Sequence, residues 1–333
     1  MSPQFVDFDQ DGHVDIVAGT FDGSPHISFG TATGWKQPEQ ILDKEGQRIV
    51  ANAWWNFDEK KWDDTDRCNP EGLVLAEGHI TSAWAADMDG DHDLDLLLGD
   101  HKGGYVYLRR NEGNPQKLAF ATRNEVILAA GAVLKVPGTV TTLRLFDWNR
   151  DGVQDLLLGS MGDAYSAGAG GGVFVFPNEG TNSAPSYGEP QTLVKVSGKG
   201  GSEPTRPDSG LYMDVGDPDG DGDFDLVVGG YSHWTPAARE LSADEQKRVD
   251  GLQEQLAELD AEQEKFWERV SAAMEGLSEE AAEKKQQEMF EAEKEQLQAS
   301  GQKRQKIQEQ IDALVPSQQR VSYVWLYENL GAR

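Results

Sequence analysis

Cysteine is nearly missing. Cys68 is the only one in 333 residues, so no intrachain disulfide can form and packing or metal must hold the fold. Basic residues are scarce too: 30 Lys and Arg face 58 Asp and Glu, a formal charge of -28. That balance argues against nucleic acid or an anionic membrane as partner, because phosphate recognition needs a basic surface. It favours cations. No apolar run approaches membrane-spanning length, so membrane insertion is not expected. The start "MSPQFVDFDQDG" lacks the basic stretch, apolar run and small-residue cleavage site of a secretory leader. The chain enters its first repeat almost at once, which suits a mature fragment whose leader has been removed.

Catalytic motifs are also lacking. His13, His26, His79, His92, His101 and His233 are scattered, with no H-E-x-x-H, no G-x-S-x-G and no Walker loop. The Gly-rich "AGAGGGVFVF" is followed by a strand pattern rather than a helix, so it makes no phosphate cradle. No catalytic residue is assigned.

What the chain does have is an acidic stretch repeated four times. The copies are "DFDQDGHVDIVAG" from Asp7, "DMDGDHDLDLLLG" from Asp87, "DWNRDGVQDLLLG" from Asp147 and "DPDGDGDFDLVVGG" from Asp217, with starts 80, 60 and 70 residues apart. Each places acidic or amide side chains at positions 1, 3, 5 and 9, then an apolar run that ends in Gly. Alternate residues of a tight loop can aim oxygens inward, and position 7 can add its carbonyl, which is the donor set a hard cation such as Ca²⁺ takes. The expected side-chain ligands are Asp7, Asp9, Asp11 and Asp15; Asp87, Asp89, Asp91 and Asp95; Asp147, Asn149, Asp151 and Asp155; and Asp217, Asp219, Asp221 and Asp225. The carbonyls of His13, Asp93, Val153 and Asp223 complete about four Ca²⁺ sites.

Gly12, Gly152 and Gly222 serve the turn at position 6, where His92 stands in the second copy, so the backbone of that loop is the one in question. Asn149 keeps an oxygen but removes a charge, which should weaken the third site. An EF-hand is excluded: it needs Glu at position 12, and this chain has Ala18, Leu98, Leu158 and Val228 there.

Strands with alternating aromatic and aliphatic residues follow, in "GGYVYLRRNEGN", "GGVFVFPNEGTN" and "SYVWLYENLG", each ending in Asn and Gly; the first copy has only the weaker "SPHISFGTATG". Segments such as "FATRNEVIL" and "SYGEPQTLV" would add outer strands. The unit is therefore strand, acidic loop, strand, turn, strand, turn, strand. It is too small to fold alone and buries its faces against neighbours, which a radial array of four-stranded blades achieves.

These loops and strands resemble the FG-GAP/VCBS repeat family, the calcium-loop blades of integrin-like β-propellers. The resemblance covers most of residues 1–235 plus 317–333. It implies an all-β propeller with a calcium ion in each matching blade, an extracellular, cell-surface or periplasmic location, and a role in binding or adhesion. Family propellers commonly have more than four blades. This chain starts inside its first blade and ends at "YENLGAR" without an obvious outer strand, so a partial or atypically closed ring is expected.

Residues 236–316 are expected as a helical hairpin inserted in the last blade. Residues 242–314 contain no Pro and are rich in Glu, Gln, Lys and Ala. Ser242 and Glu245 form a capping box, and apolar residues recur at Val249, Leu252, Leu256, Leu259, Phe266, Val270 and Met274. Ser278 is placed to start a second helix with a thinner stripe of Met289, Phe290, Leu297, Ile307, Ile311 and Leu314, and Gly301 is a candidate kink. The two arms would pack as an antiparallel coiled coil, either a tolerated insertion or an arm for association with a partner or with itself.

The cluster "NAWWNFDEKKWDD" carries Trp54, Trp55, Phe57 and Trp62. These rings either pack between blades or stack on a sugar or a protein partner. The expected function is a calcium-stabilised binding or scaffolding module with a protein or glycan ligand. The alternative is a calcium-dependent polysaccharide-active enzyme, which needs Lys or Arg beside Tyr or His at one mouth of the ring, with the Trp54 region lining a groove.

Overall fold

A computed structural model describes residues 3–73, 78–162, 170–196 and 206–329. Residues 163–169 of the approach to the Gly-rich run and residues 330–333 of the closing "YENLGAR" lie outside it. The fold is mostly β with three helices, and it divides into two compact units: Met1–His233 with Arg320–Arg333, and Trp234–Gln319.

Among the described residues the β unit contains four antiparallel sheets of three or four strands, in which strands follow chain order, and three two-stranded ribbons. The first has Gln4–Val6, Asp15–Gly19, Pro25–Ser28 and Glu39–Gln40. Gln4–Val6 precedes the first acidic loop, so the first sheet has all four strands and does not begin part-way through its unit. The second sheet has Ile80–Ala86, Asp95–Asp100, Val106–Arg109 and Glu125–Val126; the third has Thr142–Phe146, Asp155–Gly159, Val173–Phe176 and Gln191–Val194. The fourth has Ser209–Gly216, Asp225–Trp234 and Gln319–Tyr327. In every sheet the acidic loop joins the first strand to the second, and the outer strands of the second and third sheets fall in the two segments named above.

The apolar runs show how the sheets stack. Side chains alternate across a strand, so a run that is apolar at every position offers apolar cover to a neighbour on each face. Leu96 and Leu98 pack with Val17, Ile27 and Ala83 between the first and second sheets, while Leu97 packs with Leu143 and Leu158 between the second and third. Leu157 faces the other way, onto Met213, Leu226 and Val228 between the third and fourth. All six residues of Leu96–Leu98 and Leu156–Leu158 are fully buried, each worth about 1.5–3 kcal/mol relative to exposure. The first and fourth sheets are covered on one face only: Ile16 and Ala18 alternate with the buried Val17, and Val227 lies between the buried Leu226 and Val228.

In the helical unit, α1 (Ala243–Met274) begins at Ser242, whose capping box with Glu245 is complete. Val249, Leu252, Leu259, Phe266 and Val270 are buried along it. The return arm is two helices, α2 (Glu279–Ala292) and α3 (Lys294–Asp312). Its break falls at Glu293 and not at Gly301, which lies inside α3. Glu293 leaves helical geometry at φ -110°, ψ 10°, and both its carboxylate oxygens are held by Arg269 of α1, at 2.8 and 2.9 Å. The arms are antiparallel: Leu252 and Leu259 pack on Ile307 and Ile311, and Arg248 reaches Gln310 while Arg304 reaches Gln263. Phe266, Trp267 and Phe290 pack edge-on beside an open cavity of about 560 Å³.

Candidate metal centres

The four acidic loops share one backbone device. Positions 4 and 6 both take left-handed φ: Gln10 57° and Gly12 89°, Gly90 81° and His92 74°, Arg150 61° and Gly152 88°, Gly220 75° and Gly222 91°. The second loop therefore keeps the common geometry, with His92 carrying the strain that Gly avoids elsewhere. This turn points the position 6 N–H at the position 1 carboxylate. Gly12 donates to Asp7, His92 to Asp87, Gly152 to Asp147 and Gly222 to Asp217, all at 3.0–3.2 Å. The position 5 carboxylates of Asp11, Asp91, Asp151 and Asp221 accept from the N–H of position 7.

The position 9 carboxylates join the loop to the sheet. Asp15, Asp95, Asp155 and Asp225 are each 1% exposed. One oxygen of each accepts the N–H of the second residue after the third strand: Gly30, Asn111, Asn178 and Asn329, at 2.6–2.9 Å. The other oxygen accepts from position 2, with Phe8, Met88 and Trp148 as donors. Residue 218 is proline and has no N–H, so Asp225 Oδ2 is buried with no hydrogen-bond partner. The recurring Asn was visible in the sequence, but its use was not. Asn111 and Asn178 also accept two backbone N–H groups each with their side chains, which fixes the turn that follows.

Carboxylates converge in three of the loops. Oxygens of Asp7, Asp9 and Asp15, of Asp87, Asp89 and Asp91, and of Asp217, Asp219 and Asp221 lie within 4.8 Å of one another in each group. In the third loop the Asn149 amide donates to Asp151 at 2.9 Å, so part of the negative charge is already answered internally. Arg110 enters the second loop, 3.0 Å from Asp89 and 3.4 Å from Asp95. Nothing in the sequence marked Arg110 for that place.

A fit to Ca²⁺ can be judged from the oxygens left without donors. Among the described residues these include Asp7 Oδ1, both oxygens of Asp93, Asp223 Oδ1 and Asp225 Oδ2. Burial, and then the charges of Asp91, Asp89 and Asp87, push the Asp93 carboxyl up to about 6. Burial pushes Asp95 up to about 7 against the Asn111 N–H and Arg110. Asp9 is raised by burial and then by Asp15. Buried, mutually repelling oxygens without donors are what a hard cation relieves, so the donor set suits calcium. The first two loops also touch through Gln10, whose Nε2 donates to the His92 carbonyl at 2.6 Å; Gln116, in the turn after the third strand of the second sheet, donates through Nε2 to the Asp9 carbonyl at 3.1 Å.

Residues 87–158 match the FG-GAP-like repeat family. The chain carries an FG-GAP-like repeat. The matched segment runs from the second acidic loop to the central strand of the third sheet, one full period of the array. Outside the matched segment, the first loop repeats its hydrogen bonds, and the fourth repeats them except for the one from position 2. No curated protein matches the chain.

A second candidate site lies at the strand ends opposite the acidic loops. Trp62 stacks on His79 with ring centres 4.4 Å apart, and His79 stacks on His101 at 4.1 Å. Phe21, Trp62, Asp63, His79, His101 and Lys102 line an open cleft of about 890 Å³. Phe21 is 66% and Trp62 42% exposed. Trp54 and Trp55 lie on the hairpin Ala53–Asn56, whose partner strand Lys61–Asp64 carries Trp62. Burial and then His101 push the His79 imidazole down to about 4; burial and then Lys102 lower His101. Cys68 is fully buried, as an inert thiol would be.

Proposed function

We propose that the chain is a calcium-stabilised binding or scaffolding module built from propeller blades, working outside the cell or at its surface. One observation carries the reading: four loops of identical backbone geometry aim carboxylates inward, and oxygens in three of them lack donors. Calcium would be held by the position 1, 3, 5 and 9 side chains and the position 7 carbonyls. Its charge would neutralise the loops and lock each first strand to its second. The aromatic cleft is the place for a ligand. Planar rings with carboxylate, imidazole and ammonium groups suit a neutral glycan, whose C–H faces stack while its hydroxyls pair.

The test is calorimetric titration of EDTA-stripped protein with calcium, with the melting temperature followed in parallel. Several binding events with a strong rise in melting temperature are expected; no binding, or binding without stabilisation, would remove the reading. A polysaccharide-active enzyme is the second reading, favoured by Lys102 and His101 beside Trp62 in one cleft. Asp63 and Asp64 line the same cleft and would repel a polyanionic substrate, which favours binding over cleavage of acidic polymers. Chain-shortening of a neutral or acidic polysaccharide, lost in His101→Ala, would establish the enzyme.

A further inference from the structure

Each apolar run ends in glycine, at Gly19, Gly99, Gly159 and Gly229, and in the first three the space a side chain would take is filled by the next sheet. A Cβ on Gly19 would lie 2.6 Å from the Ser82 backbone nitrogen. On Gly99 it would strike the Thr141 carbonyl, and on Gly159 the Leu211 carbonyl. These glycines are therefore notches into which the innermost segment of the following sheet fits. Gly229 keeps the notch, yet among the described residues the only atom within 4 Å of its Cβ position is the Tyr212 carbonyl of its own sheet, at 3.8 Å.

The face around that notch is exposed and of mixed character. Val227 and Tyr212 share it with Asp214, the cross-strand partner of Val227; Tyr212 is 37% exposed and the Asp214 side chain 75%. Tyr327 packs toward the third sheet, so Val324 and Leu326 point away from it; they are 78% and 46% exposed. At the other end of the array the first sheet turns Val17 and Ile27 toward the second and leaves Phe5, Ile16 and Ala18 on its outer face. Phe5 is 62% exposed and stands edge-on to Trp35, itself 54% exposed, with ring centres 6.5 Å apart. No hydrophobic cluster joins the first and fourth sheets among the described residues.

Each internal interface joins the glycine-notched face of one sheet to the opposite face of the next. The two uncovered faces are one of each kind, and every chain carries both. We propose that the fourth sheet of one chain docks on the first sheet of a second copy, continuing between chains the packing that joins sheets within a chain. Such a contact is heterologous: its two halves differ, so it closes into a ring or propagates head to tail. The inference stands on packing alone and does not depend on calcium.

Sedimentation velocity of the calcium-loaded full chain tests it, with two variants at exposed positions, Val324→Lys and Phe5→Lys. The native chain should associate with increasing concentration, and each variant alone should be monomeric with an unchanged circular dichroism spectrum and melting temperature. An equal mixture should form a pair of one Val324→Lys and one Phe5→Lys chain and nothing larger, since each retains the face the other lacks. A native chain monomeric at every concentration would overturn the proposal. So would association that survives both substitutions, including association that disappears only when residues 242–314 are removed, which would assign it to the helices.

Discussion

The acidic loops are decided by single residues. Asn149 is the one loop position where an amide replaces a carboxylate, and it spends a donor on Asp151. Asn149→Asp should tighten the weakest site about tenfold, because a full charge is added beside a divalent ion; calorimetry of the two proteins would show it. The ligand spacing was legible in the sequence because alternate positions recur in register. The left-handed turns at Gln10 and Arg150 were not, because neither residue type announces a positive φ. Nor was the orphaned oxygen of Asp225, which depends on a hydrogen bond that Pro218 cannot donate.

At the same scale His79 gives a pH prediction. Its folded value is about 4, against 6.5 for an unperturbed imidazole. Between those values the unfolded chain binds the proton and the folded one does not, so this residue's contribution to stability falls as pH drops from about 6.5 toward 4. The melting temperature of the native chain relative to His79→Gln should decline across that window, and the imidazole resonance should titrate near the lower end.

Among elements, the central strands separate covered from uncovered faces. Leu157 is fully buried between the third and fourth sheets, and Leu157→Ala should cost about 2–5 kcal/mol. Val227, on the uncovered face of the fourth sheet, should cost under about 1 kcal/mol in Val227→Ala. Urea unfolding of both variants measures the difference. The apolar runs marked all four central strands as buried, but they did not separate the doubly covered second and third sheets from the first and fourth, whose runs Ile16–Ala18 and Leu226–Val228 are equally unbroken. The break in the return arm lies at Glu293 and not at Gly301, the candidate kink. Helix propensity locates weak points, but Glu293 is drawn out of line by Arg269 across the hairpin, a tertiary contact with no local signature.

For the whole molecule, two units with separate cores imply separable stability. The helical unit leaves the chain after Asp225–Trp234 and returns at Gln319–Tyr327, two neighbouring strands of one sheet. Replacing residues 242–314 by a short Gly/Ser linker should leave the β unit folded, with its calcium-induced rise in melting temperature intact and the far-ultraviolet helical signal gone. Loss of that thermal response would show that the arm supports the sheets. The four acidic loops and the composition change at the arm made this organisation readable from the sequence. The half-covered terminal sheets were not, since burial belongs to the array and not to any one strand.

The hydrogen bond that passes between the first and second loops has a thermodynamic corollary. With Gln10 anchored on the His92 carbonyl, neither loop can rearrange without disturbing the other. An ion that orders one loop has already met part of the entropic cost of ordering its neighbour, so the second ion binds more tightly than the first. Filling of these two loops should therefore follow a sigmoidal isotherm, and Gln10→Ala should return it toward the hyperbola of independent sites.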